Sequence, residues 1–248
     1  MQDVSRAQIV DRQAGADASE PSSPDSPPRS RFAAQLRGPL GFVLIPVAFL
    51  AGNTIVAGYL LPLGALLVLA WAFASRTPLR DIGYARPRNW LFTIAVGIAI
   101  GVVLKFAMKA VVMPVLGAPP TNIAYQHLVG NTHLIVATLW TMIIVGFAEE
   151  TLWRGFLFER LRRLIGDSRR AAGSMLVLTS LLFGLAHYPN QGWPGVEQSI
   201  VTGLVFGGAC LVTRNLWLAI IAHSSFDLAA YALIFWGLET RVATFFVS

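Results

Sequence analysis

Two adjacent carboxylates and an arginine close a long apolar run in Phe147-Ala-Glu-Glu-Thr-Leu-Trp-Arg154. Two later apolar runs carry further ionisable groups: His187 in Phe183-Gly-Leu-Ala-His187, and a pair in His223-Ser-Ser-Phe-Asp227. A charged side chain near mid-bilayer costs about 2.5–3.5 kcal/mol on insertion scales, so such groups mark a site or a pathway by default. Residues at i and i+4 share a helical face, which pairs Glu150 with Arg154 and His223 with Asp227. The spacing predicts a structural ion pair between Glu150 and Arg154. Glu149, turned about 100° away along the helix, is left to face a cavity and is the better catalytic candidate.

A carboxylate and two imidazoles from three helices are what hydrolysis by water requires: one group to take a proton and another to stabilise the developing oxyanion. The same donors suit zinc, which with an open position would lower the pKa of a bound water towards about 7. At this level a zinc-activated water and a water activated by Glu149 alone both stand. Two other classes use similar residues. A proton- or ion-coupled transporter would relay protons along a Glu/His/Asp chain, and a non-catalytic immunity or scaffold protein would bind a peptide or partner helix there. The plainest alternative has the histidines hydrogen-bonded to backbone and the carboxylates paired with Arg154.

The elements that must position these groups follow from composition. With 55% hydrophobic residues, 13% charged residues and a mean hydropathy of +0.60 over 248 residues, the chain is too apolar for a soluble domain. An all-α, polytopic transmembrane helical bundle is expected. Residues 1–37 are rich in Ser, Pro, Asp and Ala and cannot bury enough apolar area to offset ordering entropy, so they read as a disordered cytoplasmic tail before a membrane domain at 38–248. About seven spans are expected, near 39–55, 58–75, 90–116, 134 onward, 171–188, 196–212 and 216–236, with the chemistry-bearing core at 134–236. Gly97-xxx-Gly101 and Gly203-xxx-Gly207 suggest close helix packing. Lys105 and Lys109 are expected to snorkel. His127 and His133, in the polar loop 117–133, are expected to be solvated and without function, and Cys210 to be a packing residue.

The net charge of +6 would suggest nucleic acid in a soluble protein. Here all but four of the 19 basic residues fall in alternate loops, as the positive-inside rule requires of a cytoplasmic N-terminus and an outside C-terminus. The lipid bilayer is therefore the expected partner, and no nucleic acid is.

Glu149-Glu150-xxx-Arg154, Phe183-xxx-His187 and His223-xxx-Asp227, in that order on successive apolar segments, resemble the three motifs of the CAAX-protease and bacteriocin-processing (CPBP, or Abi) family of intramembrane proteases. The ordered set is specific where each motif alone is not. The resemblance implies an endopeptidase acting on a peptide or protein substrate at the membrane, in a bacterial cytoplasmic membrane. It also implies Glu149 as general base, His187 as its partner, and His223 with Asp227 as metal ligands or oxyanion stabilisers, with Glu150, Arg154 and Phe183 in support. The eukaryotic members look to have Asn where this chain has Asp227, and an anion there favours a cation or a metal.

Overall fold

Helices need partners for their first N–H groups, and three of the long helices begin where a side chain supplies one. Asn89 accepts from the Phe92 N–H at 3.0 Å, Ser168 from Ala171 at 3.1 Å and Asn215 from Trp217 at 3.0 Å. A computed structural model describes residues 31–38, 40–44 and 61–246, and among them the ordered elements are all helical. Phe32–Ser248 form one unit; the other, Met1–Arg31, lies outside the described residues except for Arg31.

In chain order the helices are α1 (Arg31–Arg37), α2 (Leu61–Ala74), α3 (Trp90–Val115), α4 (Thr132–Ile165), α5 (Arg169–Thr213), α6 (Leu216–Phe235) and α7 (Glu239–Ala243). Helices α3 to α6 are each long and apolar enough to cross a bilayer. Their outward faces are apolar too, with Leu91 and Val136 both 80% exposed. Such faces suit hydrocarbon rather than water. This is an integral membrane protein.

Helix α5 is 45 residues long, but Gly192 breaks it with φ 62° and ψ −161°, between Pro189 and Pro194. A side chain would strain that conformation, so glycine is what lets the chain turn. Its two limbs pack antiparallel: Gly203 faces Ser180, Gly207 faces Leu176, and Gly184 faces Val196 and Ile200. These limbs are the expected fifth and sixth spans. The second expected span corresponds to the shorter apolar helix Pro62–Ala74, and most of the first lies outside the described residues. Residues 1–30 of the expected tail do too, whereas residues 31–37 are helical and bury Ala33 and Leu36.

Helix α6 is the most enclosed of the four, 61% buried against 17% for α4. Close approach makes this so. A Cβ at Gly101 of α3 would lie 2.2 Å from Ala222 O, and one at Gly146 of α4 would lie 2.4 Å from Ser224 Oγ, so both helices rest almost backbone-to-backbone on α6. At one end of the bundle Arg160 is fully buried, donates to Arg37 O at 2.7 Å and lies over the Trp71 ring, whose Nε1 donates to Leu36 O. Trp71 meets Phe156 edge-on. This cluster holds α1 and α2 against the end of α4.

The lysines depart from expectation. Lys105 and Lys109 are each only 8% exposed and point inward rather than snorkelling. Lys109 pairs with Glu239 at 2.7 Å, while Lys105 donates to Gln198 Oε1 at 3.2 Å and lies over the Phe226 ring. For Lys109 neutralisation inside the protein replaces escape to the headgroups, while Lys105 is held by an amide oxygen and a ring face. His127 and His133 are exposed and Cys210 is buried as a free thiol.

Leucine at Gly101 must push α3 off α6, at a cost of about 1–3 kcal/mol for overpacking. Gly101→Leu is expected to lower the thermal unfolding midpoint in detergent. Gly173→Leu, at a position with nothing within 4 Å, is expected to leave it within a degree or two.

Candidate active site

Glu149 and Glu150 end the α-helical part of α4, and a π-helical turn, Thr151–Leu157, follows with all seven residues buried. Such turns inside longer helices are frequent at functional sites. Thr151 spends its hydroxyl proton on Phe147 O at 2.6 Å, so the Tyr84 hydroxyl is the donor in its bond to Thr151 Oγ1. Burial pushes the Tyr84 phenol up to about 12, which keeps that donor in place. Tyr84 also packs on Phe147 and Trp217 and so ties the segment before α3 to both α4 and α6.

Glu150 is fully buried, and one of its oxygens does two jobs. Oε1 accepts from Arg154 Nη1 at 2.7 Å and from His223 Nδ1 at 2.8 Å. Arg154 is held in turn by Gly203 O at 3.4 Å and lies 4.5 Å from the Phe183 ring centroid. The carboxylate therefore joins α4 to α6 directly and to α5 through the guanidinium. It also sets the imidazole: Nδ1 carries the proton that Glu150 accepts, and Nε2 is free for other chemistry.

Around His223 Nε2 lie Glu149 Oε2 at 3.7 Å and Asp227 Oδ2 at 3.5 Å. Glu149 Oε2 is buried without a hydrogen-bond partner, although its side chain keeps 13% of its surface exposed. The His223 ring stacks on Phe206 at 5.2 Å and meets Phe183 edge-on at 6.1 Å. His187 also meets the same phenylalanine edge-on, 4.7 Å from its centroid, and its Nδ1 donates to Phe183 O at 2.8 Å. Glu149, His223 and Asp227 thus converge, and His187 shares the Phe183 ring with His223.

The donor types suit zinc, and the second nitrogen of each histidine is anchored as it is around metals. As placed, however, no group of three or more His, Cys, Asp or Glu among the described residues is arranged to hold an ion.

Two groups near the site escape a reading based on motifs. Tyr125 sits in the short helical turn Ile123–Leu128, where burial raises its phenol pKa and the Asp227 and Glu149 carboxylates raise it further. Gln191, from the bend of α5, donates to Tyr125 Oη at 3.1 Å. The available signal was that loops 117–133 and 188–195 both lack Lys and Arg and so belong on one side of the membrane.

With this geometry in place, residues 131–229 match the family model for type II CAAX prenyl endopeptidases of the Rce1-like kind. The matched stretch is similar to an Rce1-like domain. It contains Glu149, His187, His223 and Asp227 and has nearly the bounds expected from the three motifs. No curated protein and no solved structure matches the chain.

Removing one partner of a buried ion pair leaves an uncompensated charge, worth about 3–5 kcal/mol. Arg154→Leu is expected to lower the melting temperature sharply in detergent, and Glu149→Gln to leave it near wild type. The pH dependence follows from Tyr84. Its phenol titrates near 10 when unfolded and at about 12 when folded, so its contribution is complete below pH 10 and is lost as pH rises through 12. Melting curves from pH 9 to 12 should show a decline that Tyr84→Phe makes shallower.

Proposed function

We propose that this protein is an intramembrane endopeptidase that hydrolyses a peptide bond of a membrane-associated protein or peptide by direct attack of water. The observation that carries the reading is the unpartnered Glu149 Oε2 beside an imidazole whose opposite nitrogen is held by Glu150. A carboxylate with no competing donor is free to take a proton from water. Glu150 also leaves Oε2 without a partner, but its Oε1 is held by both Arg154 and His223, whereas Glu149 forms no hydrogen bond among the described residues.

Glu149 removes a proton from water as the oxygen attacks the scissile carbonyl, and later returns it to the leaving amine. His223, fixed by Glu150, presents Nε2 to the same space, and Asp227 keeps that ring charged and oriented when it accepts a proton. His187, with its Nδ1–H spent on Phe183 O, offers Nε2 as an acceptor for the water or the peptide N–H. Zinc, where bound, would be held by Glu149, His223 and Asp227 with His187 completing the set, and would supply a more acidic water. Elemental analysis of the purified protein, near one zinc per chain or near none, separates the two versions. The N-terminus on the cytoplasmic side accompanies this reading through the distribution of basic loops, and a bacterial cytoplasmic membrane through the resemblance of the three motifs.

The test is cleavage of a mixed pool of prenylated and unprenylated synthetic peptides in proteoliposomes, read by mass spectrometry. Glu149→Gln is expected to cut the cleavage rate by at least about 10²-fold, within the range for loss of a general base, while the protein folds normally. Undiminished cleavage by Glu149→Gln would falsify the role. Glu149-dependent proton or ion flux in sealed vesicles without any peptide product would assign the site to transport instead.

A further inference from the structure

Among the groups described so far, the one donor facing the oxyanion is the Nε2–H of a charged His223, and Glu149 and Asp227, 3.7 and 3.5 Å away, compete for it. Glu149 and Asp227 are carboxylates, which when ionised only accept hydrogen bonds. His223 has Nδ1–H committed to Glu150 and His187 has Nδ1–H committed to the Phe183 carbonyl. Negative charge developing on a peptide oxygen in this surrounding would meet anions on two sides. A donor that no carboxylate competes for has to come from elsewhere.

We propose that Tyr125 is that donor: its phenolic O–H, backed by Gln191, hydrogen-bonds the tetrahedral oxyanion formed when water attacks the substrate. The geometry that carries this is specific. Gln191 Nε2 donates to Tyr125 Oη at 3.1 Å, and this is the only hydrogen bond of the phenol among the described residues. The phenol accepts and has its own proton unspent. A bond received at the oxygen also polarises the O–H and strengthens what it gives.

Placement agrees. Tyr125 packs with Leu128 against Tyr231 and Ile234 of α6, and Tyr231 lies one helical turn beyond Asp227 on the same face. Asp227 and Glu149 are the charged neighbours of the phenol. The turn that bears it is fastened at its start, where Glu239 accepts from the Asn122 N–H at 3.2 Å, and again at Gln126 Nε2 at 3.1 Å. An independent observation points to an acceptor in the same place. Tyr231 Oη is buried and has no hydrogen-bond partner among the described residues. A buried hydroxyl left unsatisfied costs about 1–3 kcal/mol, a cost that a second donor to a bound carbonyl would recover in the complex.

The step balances without any further reagent. Water oxygen bonds to the carbonyl carbon, Glu149 takes its proton, and the carbonyl π electrons move onto the oxygen that Tyr125 contacts. On collapse the C–N bond breaks, the amine takes the proton from Glu149, and a carboxylic acid and an amine leave. The Tyr125 proton is shared throughout and not transferred.

This inference rests on the hydrolytic reading, and the experiment separates the two. The peptide of the mixed pool that wild type cleaves best is resynthesised with an internal quencher, and kcat and KM are measured in proteoliposomes. Tyr125→Phe keeps the packed ring and is expected to lower kcat by about 10²–10³-fold, as for loss of an oxyanion donor, with KM and melting temperature close to wild type. Gln191→Ala and Tyr231→Phe should give smaller losses of the same kind. In an Asp227→Asn background, where the amide can itself donate, Tyr125→Phe should cost at least tenfold less. A kcat within about threefold of wild type, a change confined to KM, or an equal loss in both backgrounds would overturn the assignment. A pool left uncut by wild type would remove the hydrolytic reading and this inference with it, whereas cleavage lost with Glu149→Gln but kept with Tyr125→Phe removes this inference alone.

Discussion

One carboxylate oxygen, Glu150 Oε1, is bound by both an arginine and a histidine in a place with no access to solvent. A lone ionised carboxylate there would be untenable, since desolvation of such a group costs several kcal/mol even after relaxation. The bundle is arranged to answer that cost. Arg154 reaches back one turn along α4, and the hairpin of α5 offers it the Gly203 carbonyl and the face of Phe183. The close approach of α4 to α6 at Gly146 brings His223 within 2.8 Å. Without that contact the carboxylate would have one partner, and the imidazole none to fix its tautomer.

The same constraint explains why two adjacent glutamates behave differently. Glu150 is surrounded by groups that need its charge, so its position is over-determined. Glu149, about 100° round the helix, meets His223 Nε2 only at 3.7 Å and keeps some exposure. Sites of chemistry are commonly the places where satisfaction is incomplete and the neighbouring structure makes up the stability. The π-helical turn that follows the pair belongs to this pattern, because the bond from Tyr84 to Thr151 braces its first residue.

Much of this was legible in the sequence because i, i+4 spacing on an apolar helix is a local rule. Glu150 with Arg154 and His223 with Asp227 lie within reach as that rule requires. The positions of the α5 limbs followed from hydropathy and from the Gly/Pro-bearing segment between them. Other features depend on contacts between distant segments and leave no local trace. Nothing near His223 announces that Glu150 will hold its Nδ1. Lys105 and Lys109 read as snorkelling because their partners Gln198 and Glu239 lie far along the chain. Arg160 is enclosed by Trp71 and the backbone of α1, a burial that no local spacing signals. Tyr125 was invisible for a similar reason, since a tyrosine in a polar loop carries no spacing signal.

The buried charges outside the site bear on how rigidly the site is framed. Lys109 and Glu239 form a pair at 2.7 Å, and the remaining capacity of Glu239 is filled by Asn122 and Gln126. This strut joins the π-helical turn of α3, the start of α7 and the turn carrying Tyr125. A buried pair of this kind is weak evidence for net stability but a good means of specifying one arrangement, because few alternatives satisfy all of its groups. Its effect is to hold a short helical turn, which would otherwise depend on a few apolar contacts, in a fixed position over α6. Lys105, four residues earlier, makes no ion pair with any described carboxylate and lends its charge to the same region at longer range. Beside this neutralised strut, Glu149 Oε2 and Asp227 Oδ2 stand 3.7 and 3.5 Å from His223 Nε2, too far for short hydrogen bonds and open to a substrate.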